Sequence, residues 1–145
     1  MMGGALRRHR QRDWLGDEEA ALLALLSRHS GARDVALLAM SRDDAAWHVA
    51  LWQRVVTRTL PVHQGYPLAL LGMAAWLTGE GALAAICLER AEVLVAPTRL
   101  VAILSHVIDE VVPPRLWDEL RPELLAAAES PVRRAVALPA TPPGR

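Results

Sequence analysis

The segment PLALLGMAAWLTGEGALAAICLERAEVLVAP, residues 67–97, carries the architecture of this chain in its spacing. Pro67 suits the first turn of a helix, where an N–H would have no intrahelical partner. A helix is expected over about Pro67 to Thr78, with an unbroken apolar run from Leu68 to Leu77. Gly79-Glu80-Gly81 then reverses the chain, and a second helix is expected over about Ala82 to Val95, closed by Pro97. On this second helix Leu83, Ala84, Cys87, Leu88, Ala91, Leu94 and Val95 share an inner face, opposite Ala85, Glu89 and Glu92. Small residues at Gly72, Ala84 and Ala91 let the two helices approach closely, while Leu71 and Leu88 fill the space between them. The unit is an antiparallel helical hairpin.

The same grammar extends toward the N-terminus. Ser41-Arg42-Asp43-Asp44 reads as a capping box, with Ser41 as N-cap, opening a helix that runs to about Leu60 and stops at Pro61. Val49, Trp52, Val56 and Leu60 form one apolar stripe of that helix and Trp47, Leu51 and Val55 a second, so it is expected to lie between two neighbours. A short helix precedes it over about Ala32 to Met40, with Val35, Leu38 and Ala39 inward. The first helix is expected from about Asp17 to His29 and ends at Gly31. Asp17, Glu18 and Glu19 complement the positive end of its dipole, and its apolar interior Ala20 to Leu26 predicts burial on most sides.

Toward the C-terminus a helix over about Thr98 to Val111 buries Leu100, Leu104, Val107, Ile108 and Val111. Pro113-Pro114 begins a turn through Leu120, and Pro122 one more to about Glu129. No stretch alternates with period two between hairpin turns, so the expected class is all-α: a compact bundle or layered hairpins of six to seven helices. The organisation reads as a basic arm over residues 1–16, a helical domain over 17–129 and an irregular Pro-rich tail over 130–145.

The chain has 145 residues, 52% of them apolar, which is enough for one core in a single domain. Its 16 basic residues, all Arg, balance 16 acidic ones, and zero net charge disfavours bulk electrostatic binding to nucleic acid or membrane. The single Cys excludes an internal disulfide and fits a reducing compartment. Met1 to Arg12 lacks the apolar core of a secretory signal, and Leu68 to Leu77 is about half the roughly 20 residues that span a bilayer. A cytoplasmic protein without a membrane partner is expected.

Reactive chemistry finds little support. His106 stands one turn from Asp109 and Glu110, but ordinary pairing on a helix surface explains that spacing. His48, four residues before Trp52, reads as a partly buried, hydrogen-bonded side chain; His63 is alone on a loop; Cys87 reads as a small apolar core residue. Glu89 and Glu92 share a solvated face. Gly79-Glu80-Gly81 lacks the Lys and Ser/Thr of a phosphate loop, and no metalloprotease or serine-nucleophile motif is present. No catalytic residue, metal or cofactor is assigned, and an enzyme is disfavoured.

Five Trp in a chain without Phe divide into two groups. Trp52 and Trp76 sit where helix faces pack, whereas Trp14, Trp47 and Trp117 are candidate exposed anchors for a partner. Arg7, Arg8, Arg10 and Arg12 against Asp13 give the arm a charge of +3, while residues 17–122 carry 13 acidic side chains and 9 Arg, a net of −4. That layout suits a protein partner or a homo-oligomer docked arm to body. The leading expectation is therefore a non-enzymatic interaction or self-association module. The alternative is a nucleic-acid-associated regulator holding phosphate with the four arm arginines.

Two resemblances add to this reading. Residues 68–97 resemble a tetratricopeptide hairpin: Leu71-Gly72 stands at its Leu-Gly pair, Ala75 at its aromatic position, and Ala84, Leu88 and Ala91 at its small, bulky and small positions, with Pro97 one place late. No repeat of roughly 34 residues accompanies it, so it reads as one hairpin and not an array. From about Asp17 to Trp117 the chain resembles the C-terminal helical part of an actinobacterial family, domain of unknown function number forty-one ninety-two. The residues that carry this are Arg33-Asp34, Trp52 through Arg58 to Pro61, Ala75-Trp76 followed by Gly79 to Ala84, Leu88 to Ala91 leading to Pro97, then Pro113-Pro114 and Trp117. The resemblance implies a bacterial cytosolic protein, assigns no reaction, and places the basic arm where family members carry additional sequence.

Overall fold

A computed structural model describes residues 15–137. Among them the chain forms helices and no strand: α1 (Asp17–Leu26), α2 (Ser30–Leu38), α3 (Ala45–Thr57), α4 (Gly65–Leu77), α5 (Gly81–Leu94), α6 (Arg99–Asp109), α7 (Trp117–Ala127) and α8 (Ser130–Ala137). Single 3-10 turns at Pro61–His63 and Pro114–Leu116 lead into α4 and α7.

α4 is the centre. Every residue of it except Tyr66 is buried, as an all-apolar helix requires, and it packs chiefly on α5 and α3 and also against α6 and α2. Gly72 permits a close approach to both α5 and α6. A Cβ there would lie 2.7 Å from Leu104 Cδ2 of α6 and 3.1 Å from Cys87 Cβ of α5. On α5 the buried face is Ala84, Cys87, Leu88 and Ala91, so small side chains set the spacing of the α4–α5 hairpin.

Two helix ends close with the same backbone motif. At the end of α4, Gly79 (φ 83°) donates its N–H to the Trp76 carbonyl at 3.0 Å, and Glu80 donates to Ala75 at 2.9 Å. At the end of α6, Val111 (φ 50°) donates to Ile108 at 3.2 Å, and Val112 to Val107 at 2.9 Å. Both are Schellman caps, each with its C′ residue in the left-handed region. The Trp76 indole Nε1 donates to the Val112 carbonyl at 2.9 Å and ties the two turns together.

Several local expectations are corrected. α1 stops at Leu26, and Gly31 lies inside α2, because the chain already turns at Ser27–His29, where the Ser27 hydroxyl donates to the Ala24 carbonyl at 2.6 Å. Leu22 and Leu25 are exposed, so α1 buries one face only, against α3. On α2 the buried set is Arg33, Ala36, Leu37 and Leu38, with Val35 and Ala39 only half-buried. α3 opens at Ala45, yet the expected box forms one turn earlier: Ser41 N and Oγ both donate to Asp44 Oδ1, at 2.8 and 3.1 Å. Leu60 lies beyond the end of α3 and is exposed; Leu94, expected on the inner face of α5, and Val111, expected in the core, are exposed as well.

The C-terminal region departs furthest. α7 runs through Pro122 without ending there, held by buried Trp117 on one side and partly buried Leu124 and Leu125 on the other. Residues 130–137, expected as irregular, form α8. Pro131 occupies its first turn, where a missing N–H is tolerated, and Val132 and Val136 turn inward where the helix packs on α2.

Candidate functional site

Of the three Trp expected as exposed anchors, none stands free among the described residues. Trp117 is fully buried; its ring meets Trp76 edge-on at 6.2 Å, and its Nε1 donates to the Met40 carbonyl at 2.9 Å. It belongs to the core. The reason is that α7 folds back over the α2–α3 junction, where Arg121 Nε also donates to the Leu38 carbonyl at 2.7 Å and Arg42 grips the Asp118 carboxylate. Trp47 is partly buried with its ring edge-on to His48 at 4.7 Å. Trp14 and the arm residues Arg7, Arg8, Arg10 and Arg12 lie outside the described residues.

His48, expected as partly buried and hydrogen-bonded, is fully buried, and its hydrogen bonding is poor. Nε2 is 3.4 Å from Asp44 Oδ1, and Nδ1 has no partner. Burial works against the Asp44 carboxylate, yet His48 and the Ser41 N–H and hydroxyl outweigh it and hold the acid well below its ordinary range. His106 is exposed and His63 lies on an exposed turn; Asp109 accepts from the Ser105 hydroxyl at 3.1 Å, not from His106. Cys87 is buried between helices, and burial raises its thiol to about 11, so little thiolate forms near neutrality. Among the described residues no group of three His, Cys, Asp or Glu is placed to hold a metal ion.

The surface is more informative. Where α4 starts and α5 ends, a cleft of about 470 Å³ is walled by Val62, Tyr66, Leu94 and Val95, with Arg28 and His63 at its polar edge. Leu94 is partly exposed, Val62 is 69% exposed, and their chain neighbours Leu60 and Val93 reach 68% and 84%. Glycine shapes the site here too: a Cβ at Gly65 would lie 2.3 Å from Val95 Cγ1. Arg90 Nη2 donates to Gln64 Oε1 at 3.1 Å and binds α5 to the turn.

Behind Tyr66 stands Arg33 of α2. Its guanidinium carbon lies 4.0 Å from the Tyr66 ring centroid, and Nη1 donates to the Ser27 carbonyl at 2.9 Å. Sequence reasoning took Arg33 only as part of a family resemblance. The available signal was its place on one helical stripe with Ala36, Leu37 and Met40, all of which are buried.

Comparison with known proteins gives a family match. The model of Domain of unknown function (DUF4192) matches residues 2–115. It takes in most of the basic arm, which the resemblance had placed outside the shared region. No curated protein and no solved structure matches the chain.

Proposed function

From the premise that this chain belongs to the DUF4192 family, we propose that it is a cytoplasmic, non-enzymatic interaction module that binds a protein partner or a second copy of itself. The observation that supports this is the exposed Val62 and Leu94 in the wall of the Tyr66 cleft, with Leu60 and Val93 exposed close to them in the chain. An interface built there would remove large aliphatic side chains from water, at roughly 25 cal/mol for each Å² of apolar surface covered. The opposite charges of arm and body add orientation to such contacts more than affinity.

The test is sedimentation equilibrium of the whole chain beside the double variant Val62→Asp, Val93→Glu. Both side chains are open to solvent, so the variant keeps its melting temperature. The wild type is expected to self-associate, or to retain a defined partner on an affinity column, and the variant to lose that association. A wild type that stays monomeric at every concentration and binds no partner through these residues would overturn the reading.

A further inference from the structure

We infer that the outer face of α5 pairs with the same face of a second copy of this chain, the two helices lying parallel about a twofold axis. This names the partner for the interaction role proposed above and rests on that role.

α5 turns its buried residues, Ala84, Cys87, Leu88 and Ala91, toward α4 and α6. On the opposite side Ile86 is 54% exposed and Val93 84%. At roughly 100° per residue these two fall within about 20° of one line along the helix. Theirs is the seven-residue spacing by which one helix meets another along a seam. Ala82, exposed one turn earlier, puts no long side chain in the way of a second helix. The face runs on into the Tyr66 cleft, whose wall includes Leu94, the residue after Val93.

Charge decides both the partner and the direction. Glu89 lies about 50° to one side of the Ile86–Val93 line and Arg90 about 50° to the other. Both are exposed, and among the described residues neither has an opposite charge within 4.0 Å. Arg90 gives one Nη2 proton to Gln64 Oε1 and keeps its other donors. In a parallel twofold pair, the left flank of each helix faces the right flank of the other at nearly the same height. Glu89 then meets Arg90 of the second copy twice over, while Ile86 and Val93 each meet their own equivalents. An antiparallel pair would set Glu89 beside Glu89 and Arg90 beside Arg90, so the face selects against it. Two helices of 14 residues cover less than the roughly 1,200 Å² of a standard interface, and a dissociation constant in the micromolar range is expected.

The test is sedimentation equilibrium of the full chain at low salt. The wild type is expected to dimerise. Glu89→Arg or Arg90→Glu alone is expected to weaken the dimer about tenfold, since each turns two attractive contacts into two repulsive ones. The two reversals together are expected to restore it. These positions are exposed, so all three variants keep the wild-type melting temperature. Ile86→Cys is expected to cross-link to its own equivalent on mild oxidation, which an antiparallel pair would not permit; the wild type, its Cys87 buried, is the control. The parallel pair is overturned if the wild type stays monomeric, if single reversals dimerise like the wild type, if the double reversal does not recover, or if Ile86→Cys fails to cross-link. Dimers indifferent to the α5 charges but lost with Val62→Asp would overturn it and leave the interaction role standing, as would a monomer that retains a different protein partner.

Discussion

The turns after α4 and after α6 are built from the same two backbone hydrogen bonds and differ in the residue that carries the strained angle. Gly79 takes φ 83° without steric cost, whereas Val111 takes φ 50° with a branched Cβ in a region that β-branched residues avoid. The turns are neighbours. Trp76 joins them through Val112, and both line a shallow apolar cleft of about 240 Å³ together with Ile108 and Pro114. The contrast teaches that a Schellman cap follows from the helix geometry on either side of it. Glycine makes the cap inexpensive but is not required for it.

Four substitutions probe that contrast, each read as a change in unfolding free energy by denaturant titration. Trp76→Ala removes the tie and a buried indole, and should cost about 3–5 kcal/mol. Gly72→Ala presses a methyl against Leu104 and Cys87 upstream of both turns; a loss of about 1–3 kcal/mol is expected, since the end of Leu104 has to move. Gly79→Val makes the first turn resemble the second, at a cost of about 1–2 kcal/mol. Val111→Gly does the reverse. Relief of the left-handed strain outweighs the added freedom of the unfolded chain, for a gain of about 0.5–1 kcal/mol. A Val111→Gly variant no more stable than the wild type would mean that the two caps are not equivalent.

The same pair shows what could be read from the residues. The α4–α5 hairpin was legible because Gly79-Glu80-Gly81 interrupts two strongly apolar runs. The end of α6 was misplaced because Val111 continues the stripe of Leu104, Val107 and Ile108, and nothing local marks it as the residue that leaves the helix. Pro122 reads as the start of a separate turn and Pro131 as part of an irregular tail, yet α7 and α8 are held by contacts distant in the chain: Trp117 with Met40, and Val132 and Val136 in the packing of α8 against α2. For the candidate sites, exposure at Val62 and Val93 depends on which helix ends meet. The burial of Arg33 depends on Tyr66 and Ser27 arriving from separate elements. The first is not encoded in local spacing, and the second shows there only as the helical stripe that Arg33 shares with Ala36, Leu37 and Met40.

The lone thiol has a practical corollary. Cys87 sits in the seam that Gly72 leaves between α4, α5 and α6, and its raised pKa keeps it protonated. A trapping reagent therefore gains access only when that seam parts. The rate at which the sulfur is alkylated would serve as a clock for breathing of the bundle's centre, available in the native chain without any added label.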